Sequence, residues 1–400
     1  MKNPVDVNKV RKAIKELHIP KDYWGIDLGS FFEYQWNMYI SIRETAGKTT
    51  QSLILGLVLH ELYPEHYCIE YLRNDNAQTT QKNIDTLFDT VIKYDYIDKI
   101  THGKYNSVNY YRNQKRFNLC KRDEDGSIMY EDNDFICAVH SLEDATRFKS
   151  GYNSPRGNYI VLDEFQDTDR ATYHIFGQLL NAVSTIGRPL SADRTPWLHI
   201  LMIGNNTDEY CFYFDDFCIG EQVRTLKFGE SITFRTEYNT TGMCKLLELG
   251  EPQKERLKNR NIPFLGFPGK KAASFTGTTE WSGKQFRHLE WELDYLKDCY
   301  FRRCYVNYRG RWIQVDFFKD EEHGKYLFLH FASAPMKNDN VIFTLEPSDV
   351  MDVYGLGKYE KREKILKICN IVRTSYIENR LFYASNMVGA LFEDYLKNCK

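Results

Sequence analysis

The stretch from Met38 to Leu62, "MYISIRETAGKTTQSLILGLVLHEL", sets the fold class of the chain. A short apolar run typical of a buried strand precedes the polar segment "IRETAGKT", and a long apolar run typical of a helix follows it. Backbone N–H groups at such a strand-to-helix turn bind phosphate, because the helix dipole also favours negative charge there. The stretch therefore predicts a phosphate-binding loop that opens a helix.

The loop departs from the regular G-x-x-x-x-G-K-[ST] pattern in one place, because Ile42 occupies the first glycine position. This departure predicts a loop that starts later or turns more broadly. The lysine of such a loop reaches the terminal phosphates, and the Ser/Thr hydroxyl helps to hold Mg²⁺. A chance G-K-T between a strand and a helix is the alternative. The residues expected to contact ATP are Arg43, Glu44, Thr45, Ala46, Gly47, Lys48, Thr49 and Thr50, with Thr49 also a metal ligand.

A second apolar strand, "NYIVLDEF" from Asn158 to Phe165, ends in two acids. In a nucleotide hydrolase, Asp163, the second candidate metal residue beside Thr49, would accept from Mg²⁺-bound water, and Glu164 would polarise the water that attacks the γ-phosphate. "LDEF" alone is a weak signal, since acids often end strands. Together with the loop and the intervening strand-helix units, it predicts a Mg²⁺-dependent ATPase whose cofactors are ATP and Mg²⁺.

Polar residues around the next strand fit the same site. Asn205, at the tip of "WLHILMIGN", could hydrogen-bond the γ-phosphate, or could simply be a turn residue. Arg188 and Arg194 lie in the polar loop before this strand, from which an arginine could reach a neighbouring subunit's nucleotide. The alternative for both arginines is a solvated surface position.

The order of elements predicts an α/β fold. Buried strands alternate with helices, which implies a parallel sheet covered on both faces. The 400 residues, 42% of them hydrophobic, have room for two domains. The predicted division is a P-loop ATPase domain over 1–225, a linker region over 226–284, and a smaller α+β domain over 285–400 that contains hairpin-like strands followed by two helices.

Composition excludes some classes of protein. The formal net charge of −2 argues against a protein that coats nucleic acid through bulk positive charge. The longest apolar runs fall short of the roughly 20 residues of a membrane span, so no membrane partner is expected and a cytoplasmic location is predicted. Ten scattered cysteines signal neither a zinc site nor a disulfide framework. Local basic clusters remain, and one lies on a predicted hairpin whose candidate DNA contacts are Lys115, Arg116, Lys121 and Arg122; the alternative is a solvated charged hairpin.

Two families resemble parts of the chain. "LDEFQDTD" resembles the second motif of superfamily 1 DNA helicases. That resemblance stops there, because the next strand reads "IGNNTD" instead of G-D-x-x-Q and too little chain remains for a second motor domain with cover domains. The wider resemblance is to terminase large subunits, within them the packaging ATPases of small protein-primed tailed phages of the Picovirinae type. It rests on "IRETAGKT", on "YCIEYLRN", on the "DEF" strand, on the arginine-bearing loop and on the strand that ends in asparagine, over about residues 35–215.

The terminase resemblance implies a RecA-like (ASCE) motor domain and an RNase H-like C-terminal domain. It also implies translocation of double-stranded DNA by a homo-oligomeric ring, a pentamer in this subfamily, in the cytoplasm of an infected host. The ring would attach transiently to the procapsid portal, with a structural packaging RNA as a further partner. Arg73 would hold Glu164 inactive until DNA or a neighbouring subunit engages; a surface arginine at a strand end is the alternative. The insertions near 100–130 and 240–285 are not explained by the resemblance.

The C-terminal domain is predicted to be a vestigial nuclease. RNase H-type nucleases hold two divalent metals with a cluster of acids. Here the strand "RRCYVNY" offers a neutral amide, Asn307, and the nearby arginines would repel metal ions: Arg302, Arg303, Arg309 and Arg311. Acids in another register are the alternative: Asp316, Glu346 and Asp394. A binding protein with a decayed nucleotide site is a third interpretation of the whole chain, disfavoured because Lys48, Thr49, Asp163 and Glu164 are intact.

Overall fold

The structure is a computed structural model in which the chain divides into two compact units, residues 1–283 and 284–400. No helix among the described residues is long and apolar enough to cross a membrane. The structure describes residues 4–20, 25–41, 47–80, 84–144, 154–166, 175–186, 197–205, 211–227, 229–235, 241–247, 300–308, 311–320, 324–332, 341–344, 374–375, 377–378, 380–384 and 386–398.

The first unit is built on a large mixed sheet with the strand order β3-β4-β5-β2-β6-β7-β1-β9-β8. The six adjacent strands β5-β2-β6-β7-β1-β9 run parallel to one another. The pairs β3/β4, β4/β5 and β8/β9 are antiparallel. This confirms the predicted α/β fold with a parallel central sheet. The strands are β1 Trp36–Ser41, β2 Ile69–Arg73, β3 Ser107–Tyr111, β4 Arg116–Arg122, β5 Ile128–Ser141, β6 Tyr159–Asp163, β7 His199–Asn205, β8 Ser231–Arg235 and β9 Thr241–Leu246.

Helices cover both faces of the central strands. Apolar residues of α3 pack with Tyr39, Ile69 and Val161 on one face, while α6 packs with Met38 and Leu162 on the other. The approach of α3 to the sheet is close, because a Cβ at Gly56 would lie 2.4 Å from a side-chain carbon of Ile69. The helices are α1 Val7–Glu16, α2 Leu28–Glu33, α3 Lys48–Leu62, α4 Asp89–Lys93, α5 Tyr96–Ile100, α6 Ile175–Ile186, α7 Phe212–Asp216 and α8 Gly220–Thr225.

One stretch differs from the sequence prediction, whereas the insertion near 100–130 folds into extended antiparallel strands as the sequence predicts. β8 and β9 lie within residues 226–284, the predicted linker, and β9 pairs in parallel with β1, so the start of that region belongs to the large sheet. The predicted insertion near 100–130 forms the antiparallel edge of the sheet, where β3, β4 and β5 pair in sequence. The first part of β5 carries exposed apolar side chains at Ile128, Met129 and Tyr130. Short strands that alternate between exposed and half-buried residues, as β8 does, carry little hydrophobic signal.

The second unit contains a smaller sheet with the order β13-β10-β11-β12-β14. β10, β11 and β12 form an antiparallel meander, as the hairpin-like sequence predicts, while β13 runs parallel to β10 and β14 parallel to β12. One helix, α9, follows the last strand. The elements are β10 Tyr300–Tyr308, β11 Arg311–Asp320, β12 Gly324–Ala332, β13 Val341–Thr344, β14 Leu381–Tyr383 and α9 Asn386–Asn398.

Candidate nucleotide-binding site

Six of the predicted site residues meet at the carboxyl ends of four adjacent parallel strands, β2, β6, β7 and β1, namely Lys48, Thr49, Arg73, Asp163, Glu164 and Asn205. The strand register places Asp163 beside Ile203 and Ser41 beside Asn205. Ligands of open α/β sheets bind in the crevice outside these strand ends. Because β7 lies between β1 and β6, Asn205 is positioned between the end of β1 and the two acids that end β6.

Lys48 is the first residue of α3, directly after Gly47, whose left-handed backbone (φ 62°) suits a residue without a side chain. Its ammonium donates to Ser41 Oγ at 2.6 Å and to Asn205 Oδ1 at 2.9 Å. Burial of the side chain lowers the pKa of Lys48 to about 8, and the charges of Asp163 and Glu164 counteract part of that shift. The site therefore holds a desolvated cation at a helix N-terminus, where a phosphate gains most from it.

Asp163 is held by three donors. Its Oδ2 accepts from Thr49 Oγ1 at 2.8 Å, from the hydroxyl of Tyr71, and from Arg73 Nη2 at 3.2 Å. Thr49 and Asp163, the two predicted metal ligands, are thus in direct contact. The contact of Tyr71 with Asp163 was not predicted from the sequence. It could have been suggested by the position of Tyr71 two residues before Arg73, because alternate residues of a strand such as β2 share a face.

Arg73 bridges both acids. Nη1 lies 2.5 Å from Glu164 Oε2, Nη2 contacts Asp163, and the guanidinium sits over the ring of Tyr71 at 5.5 Å. Its side chain is 17% exposed, so it is not a solvated surface arginine. Burial lowers its pKa, but Asp163, Tyr71 and Glu164 together raise that pKa above the ordinary value for arginine. Glu164, with a 47% exposed side chain, is the member of the cluster most open to solvent.

These residues fit ATP with Mg²⁺. The oxygens of Thr49 and Asp163 are the hard ligands that Mg²⁺ prefers, and Mg²⁺ in nucleotide sites uses one or two carboxylates together with phosphate oxygens. Among the described residues, no group of three or more His, Cys, Asp or Glu side chains could hold a metal by itself. Six further predicted residues lie outside the part of the chain that the structure describes, namely Arg43, Glu44, Thr45, Ala46, Arg188 and Arg194, whereas Thr50 lies in the first turn of α3.

The four candidate DNA contacts on the hairpin each have a partner within the chain. Lys121 pairs with Asp98 at 3.0 Å and donates to the carbonyl of Gly103, while Arg122 donates to the carbonyls of Gly126 and Val108. Arg116 lies 4.4 Å from the ring centre of Phe135. Lys115 makes the weakest contact, 3.5 Å to the hydroxyl of Thr79, so it is the most available of the four for a phosphate.

Asp316, an acid considered for the second unit, is tied to other side chains. Its carboxylate accepts from Arg303 Nε at 2.7 Å, from Gln314 Nε2 at 2.8 Å and from His330 Nε2 at 3.1 Å, and the residue is 5% exposed. Asn307 is also buried. The charge of Arg303 and the hydrogen bonds from Gln314 and His330 favour a structural role for Asp316 over metal binding. Arg311 is half-buried; Arg309 and Glu346, as well as the side chains of Arg302 and Asp394, lie outside the described residues.

The Asp316–His330 pair makes the stability of the second unit depend on pH. Burial, the largest cause, lowers the pKa of His330, but the hydrogen bond to Asp316, the hydrogen bond to the backbone of Phe331 and the charge of Asp316 together outweigh it, so the pKa is raised above its usual value. Protonated His330 therefore stabilises the fold fully below about pH 6.5, the unfolded value, and this stabilisation is lost as the pH rises through the folded pKa.

We expect wild type to be more stable than His330→Gln at pH 5.5, with a smaller difference at pH 8.5. Urea denaturation of both full-length chains at the two pH values measures this difference. The same difference at both values would show that the histidine contributes by packing alone. The stabilisation that depends on ionised Asp316 is lost only at lower pH. Burial raises the pKa of Asp316, but hydrogen bonds from His330, Arg303 and Gln314 together lower it below its usual value.

The fold and the site define a mixed α/β protein with a buried lysine at a helix N-terminus and two consecutive acids at the end of a nearby parallel strand. The fold is similar to that of the phi-28 gp11 DNA packaging motor, with a TM-score of 0.55 and 15% sequence identity, over 94% of this chain and 99% of that one. This similarity confirms, at the level of the fold, the predicted resemblance to phage packaging motors.

Two other solved structures show lower similarity. One is the N-terminal domain of the DNA packaging ATPase from bacteriophage phi29, with a TM-score of 0.39 and 16% identity over 55% of this chain and 93% of that one. The other is the large terminase of bacteriophage HK97, with a TM-score of 0.37 and 12% identity over 93% of this chain and 73% of that one. No protein-family model matches the sequence, and no curated protein matches it either.

Proposed function

We propose that the protein is an ATP-driven motor that moves double-stranded DNA into a viral procapsid. The observation that carries the proposal is the cluster of Lys48, Thr49, Arg73, Asp163 and Glu164 at one edge of the sheet. The similarity of nearly the whole chain to the fold of the phi-28 gp11 DNA packaging motor supports it. The position of β7 between β1 and β6 also supports a RecA-like (ASCE) motor domain.

The residues have separate parts in hydrolysis. Lys48 and the N-terminus of α3 would bind the terminal phosphates, and Thr49 and Asp163 would hold Mg²⁺. When bound there, Mg²⁺ would supply neutralisation of negative charge on the phosphates. The Glu164 carboxylate orients the attacking water and accepts its proton. Arg73 holds Glu164 Oε2 in an ion pair and so restrains the carboxylate that would accept the proton, which supports Arg73 as the switch.

The remaining partners belong to the same proposal. A homo-oligomeric ring, pentameric by resemblance, would bind the procapsid portal and a structural packaging RNA in the host cytoplasm. The RNase H-like assignment of the C-terminal domain is supported by the β10–β12 meander with the parallel strand β13 beside it. The pairing of Asp316 with Arg303 and His330 supports a domain without nuclease activity.

The experiment that tests the proposed function is ATP hydrolysis by purified protein alone, with double-stranded DNA, with single-stranded DNA and with empty procapsids. We expect procapsids with double-stranded DNA to stimulate hydrolysis most. Stimulation by single-stranded DNA alone would instead support the helicase alternative. No hydrolysis under any condition would support a decayed nucleotide site.

An arginine supplied in trans would act on a neighbour's nucleotide. Arg188→Ala or Arg194→Ala should then lower hydrolysis only where subunits assemble, because a transition-state arginine typically contributes 10³-fold or more. Mixing two variants tests whether the arginine acts on a neighbouring subunit. A Glu164→Gln subunit with both arginines intact should restore ATP turnover in a partner subunit that lacks Arg188 or Arg194. Absence of rescue at every mixing ratio would exclude the trans role.

Lys115 is the best placed of the four hairpin cations to meet DNA phosphates, since its partner is a neutral hydroxyl. Lys115→Gln should lower the slope of log K against log salt by about one, the value for one phosphate contact. Lys121→Gln is the matched control, because Lys121 is already paired with Asp98. Salt titrations of double-stranded DNA binding compare the two variants. Equal slopes in wild type and Lys115→Gln would favour the solvated hairpin.

A further inference from the structure

The turn that carries Glu164 has an uncommon backbone. Glu164 directly follows β6 and has a φ of 58°, in the left-handed region that residues with a Cβ seldom adopt. This conformation directs the Glu164 side chain away from the path that a continued strand would give it. Because such a backbone costs free energy, it persists only where surrounding contacts hold it.

Asn74 supplies such contacts. Its side-chain amide donates to the carbonyl of Glu164 at 3.1 Å and to that of Phe165 at 3.4 Å. Asn74 is fully buried and follows Arg73, the last residue of β2. Carbonyl oxygens only accept hydrogen bonds, so the nitrogen of the amide has to face them and the orientation of the side chain is fixed.

Tyr213 on α7 completes the arrangement. Its hydroxyl lies 3.2 Å from Asn74 Oδ1, and it must be the donor because that oxygen accepts only. Burial raises the pKa of Tyr213 well above its ordinary value, so the phenol stays protonated. Its ring also packs edge-on against Phe165, with the ring centres 5.8 Å apart. One side chain thus contacts both Asn74 and the turn that Asn74 holds.

We propose that Asn74 is a positioning residue for ATP hydrolysis that holds the Glu164 backbone in its left-handed conformation, and that Tyr213 fixes the Asn74 amide for this purpose. This inference rests on the proposed ATPase function. It separates two controls on Glu164, since Arg73 binds the carboxylate and Asn74 binds the backbone. Neither Asn74 nor Tyr213 has a hydrogen bond to Lys48 in the structure, so nucleotide binding should not depend on them.

Two variants test the proposal. Asn74→Asp keeps the shape but places a carboxylate oxygen against two carbonyls, and Tyr213→Phe removes only the hydroxyl. Tyr67→Phe is the matched control, because its equally buried hydroxyl donates to the carbonyl of Trp197 at 2.9 Å, near the amino-terminal ends of the strands. If Tyr213 had a purely structural role, Tyr213→Phe and Tyr67→Phe would have the same effect on kcat and on amide hydrogen exchange at residues 164–166.

We expect kcat to fall at least about 30-fold in Asn74→Asp and about fivefold in Tyr213→Phe, as for misplaced catalytic groups. KM and the Kd of a fluorescent ATP analogue should stay within about twofold of wild type in both. Amide hydrogen exchange at residues 164–166 should become faster in both, and Tyr67→Phe should change neither kcat nor this exchange. In a Glu164→Gln background, Asn74→Asp should not lower residual turnover further, because it acts through Glu164.

Other outcomes overturn the proposal in distinguishable ways. A wild-type chain that hydrolyses ATP, with kcat unchanged in both variants, would contradict the positioning role and leave the proposed function standing. A full effect of Asn74→Asp in the Glu164→Gln background would show that Asn74 acts on something other than Glu164. A wild-type chain that hydrolyses no ATP would overturn the proposed function and this inference with it.

Discussion

Glu164→Gln should lower ATP turnover by at least about 10³-fold while nucleotide binding persists, because the amide cannot take a proton from the attacking water. The variant keeps the size of the side chain and its hydrogen bond to Arg73 through the amide oxygen, so the fold should be retained. Glu65→Gln, at an exposed position, is the control. Hydrolysis at the wild-type rate in Glu164→Gln would show that the catalytic base has been assigned wrongly.

Lys48→Ala tests the other half of the same site. It removes the buried cation that donates to Ser41 and Asn205, so nucleotide binding should weaken about 10- to 100-fold, as for a lost charge-assisted hydrogen bond. Titration with a fluorescent ATP analogue measures both variants. The expected contrast is binding without turnover in Glu164→Gln and weak binding in Lys48→Ala.

Arg73→Ala should remove the dependence of hydrolysis on DNA and procapsids, because the ion pair that restrains the Glu164 carboxylate is then lost. It also removes the guanidinium charge that contacts both Asp163 and Glu164. We expect the free energy of unfolding to fall by about 2 kcal/mol, below the range for a fully buried pair because Glu164 is 47% exposed. Hydrolysis rates with and without DNA and procapsids, together with urea denaturation, measure the two effects.

Arg73→Lys is the informative comparison. It keeps a positive charge, but a single ammonium cannot span both carboxylates as the guanidinium does. Partial restraint in Arg73→Lys and none in Arg73→Ala would support the switch. Stimulation by DNA that is undiminished in Arg73→Ala would contradict it.

The convergence of Lys48, Asp163 and Asn205 could be predicted because their strands are strongly apolar and the carboxyl ends of parallel strands share one edge. The contacts of Tyr71 and Asn74 could not be predicted from the sequence. They depend on which residues of β6 lie beside β2, and that register is non-local information. The same holds for Asp316 and His330, which meet only because β11 and β12 pair in one register. β8 and β9 were not predicted, because they are short and lie in a polar stretch without a clear hydrophobic pattern.

Protection of DNA from nuclease is the direct measure of the proposed coupling, in which ATP hydrolysis at this site drives DNA into a procapsid. Purified chain, empty procapsids, double-stranded DNA and ATP are incubated, nuclease is added, and the DNA that survives inside the procapsids is quantified. We expect protected DNA with wild type and ATP, and none with Glu164→Gln or without ATP. Wild type that hydrolyses ATP with procapsids present but protects no DNA, or Glu164→Gln that protects as much as wild type, would contradict it.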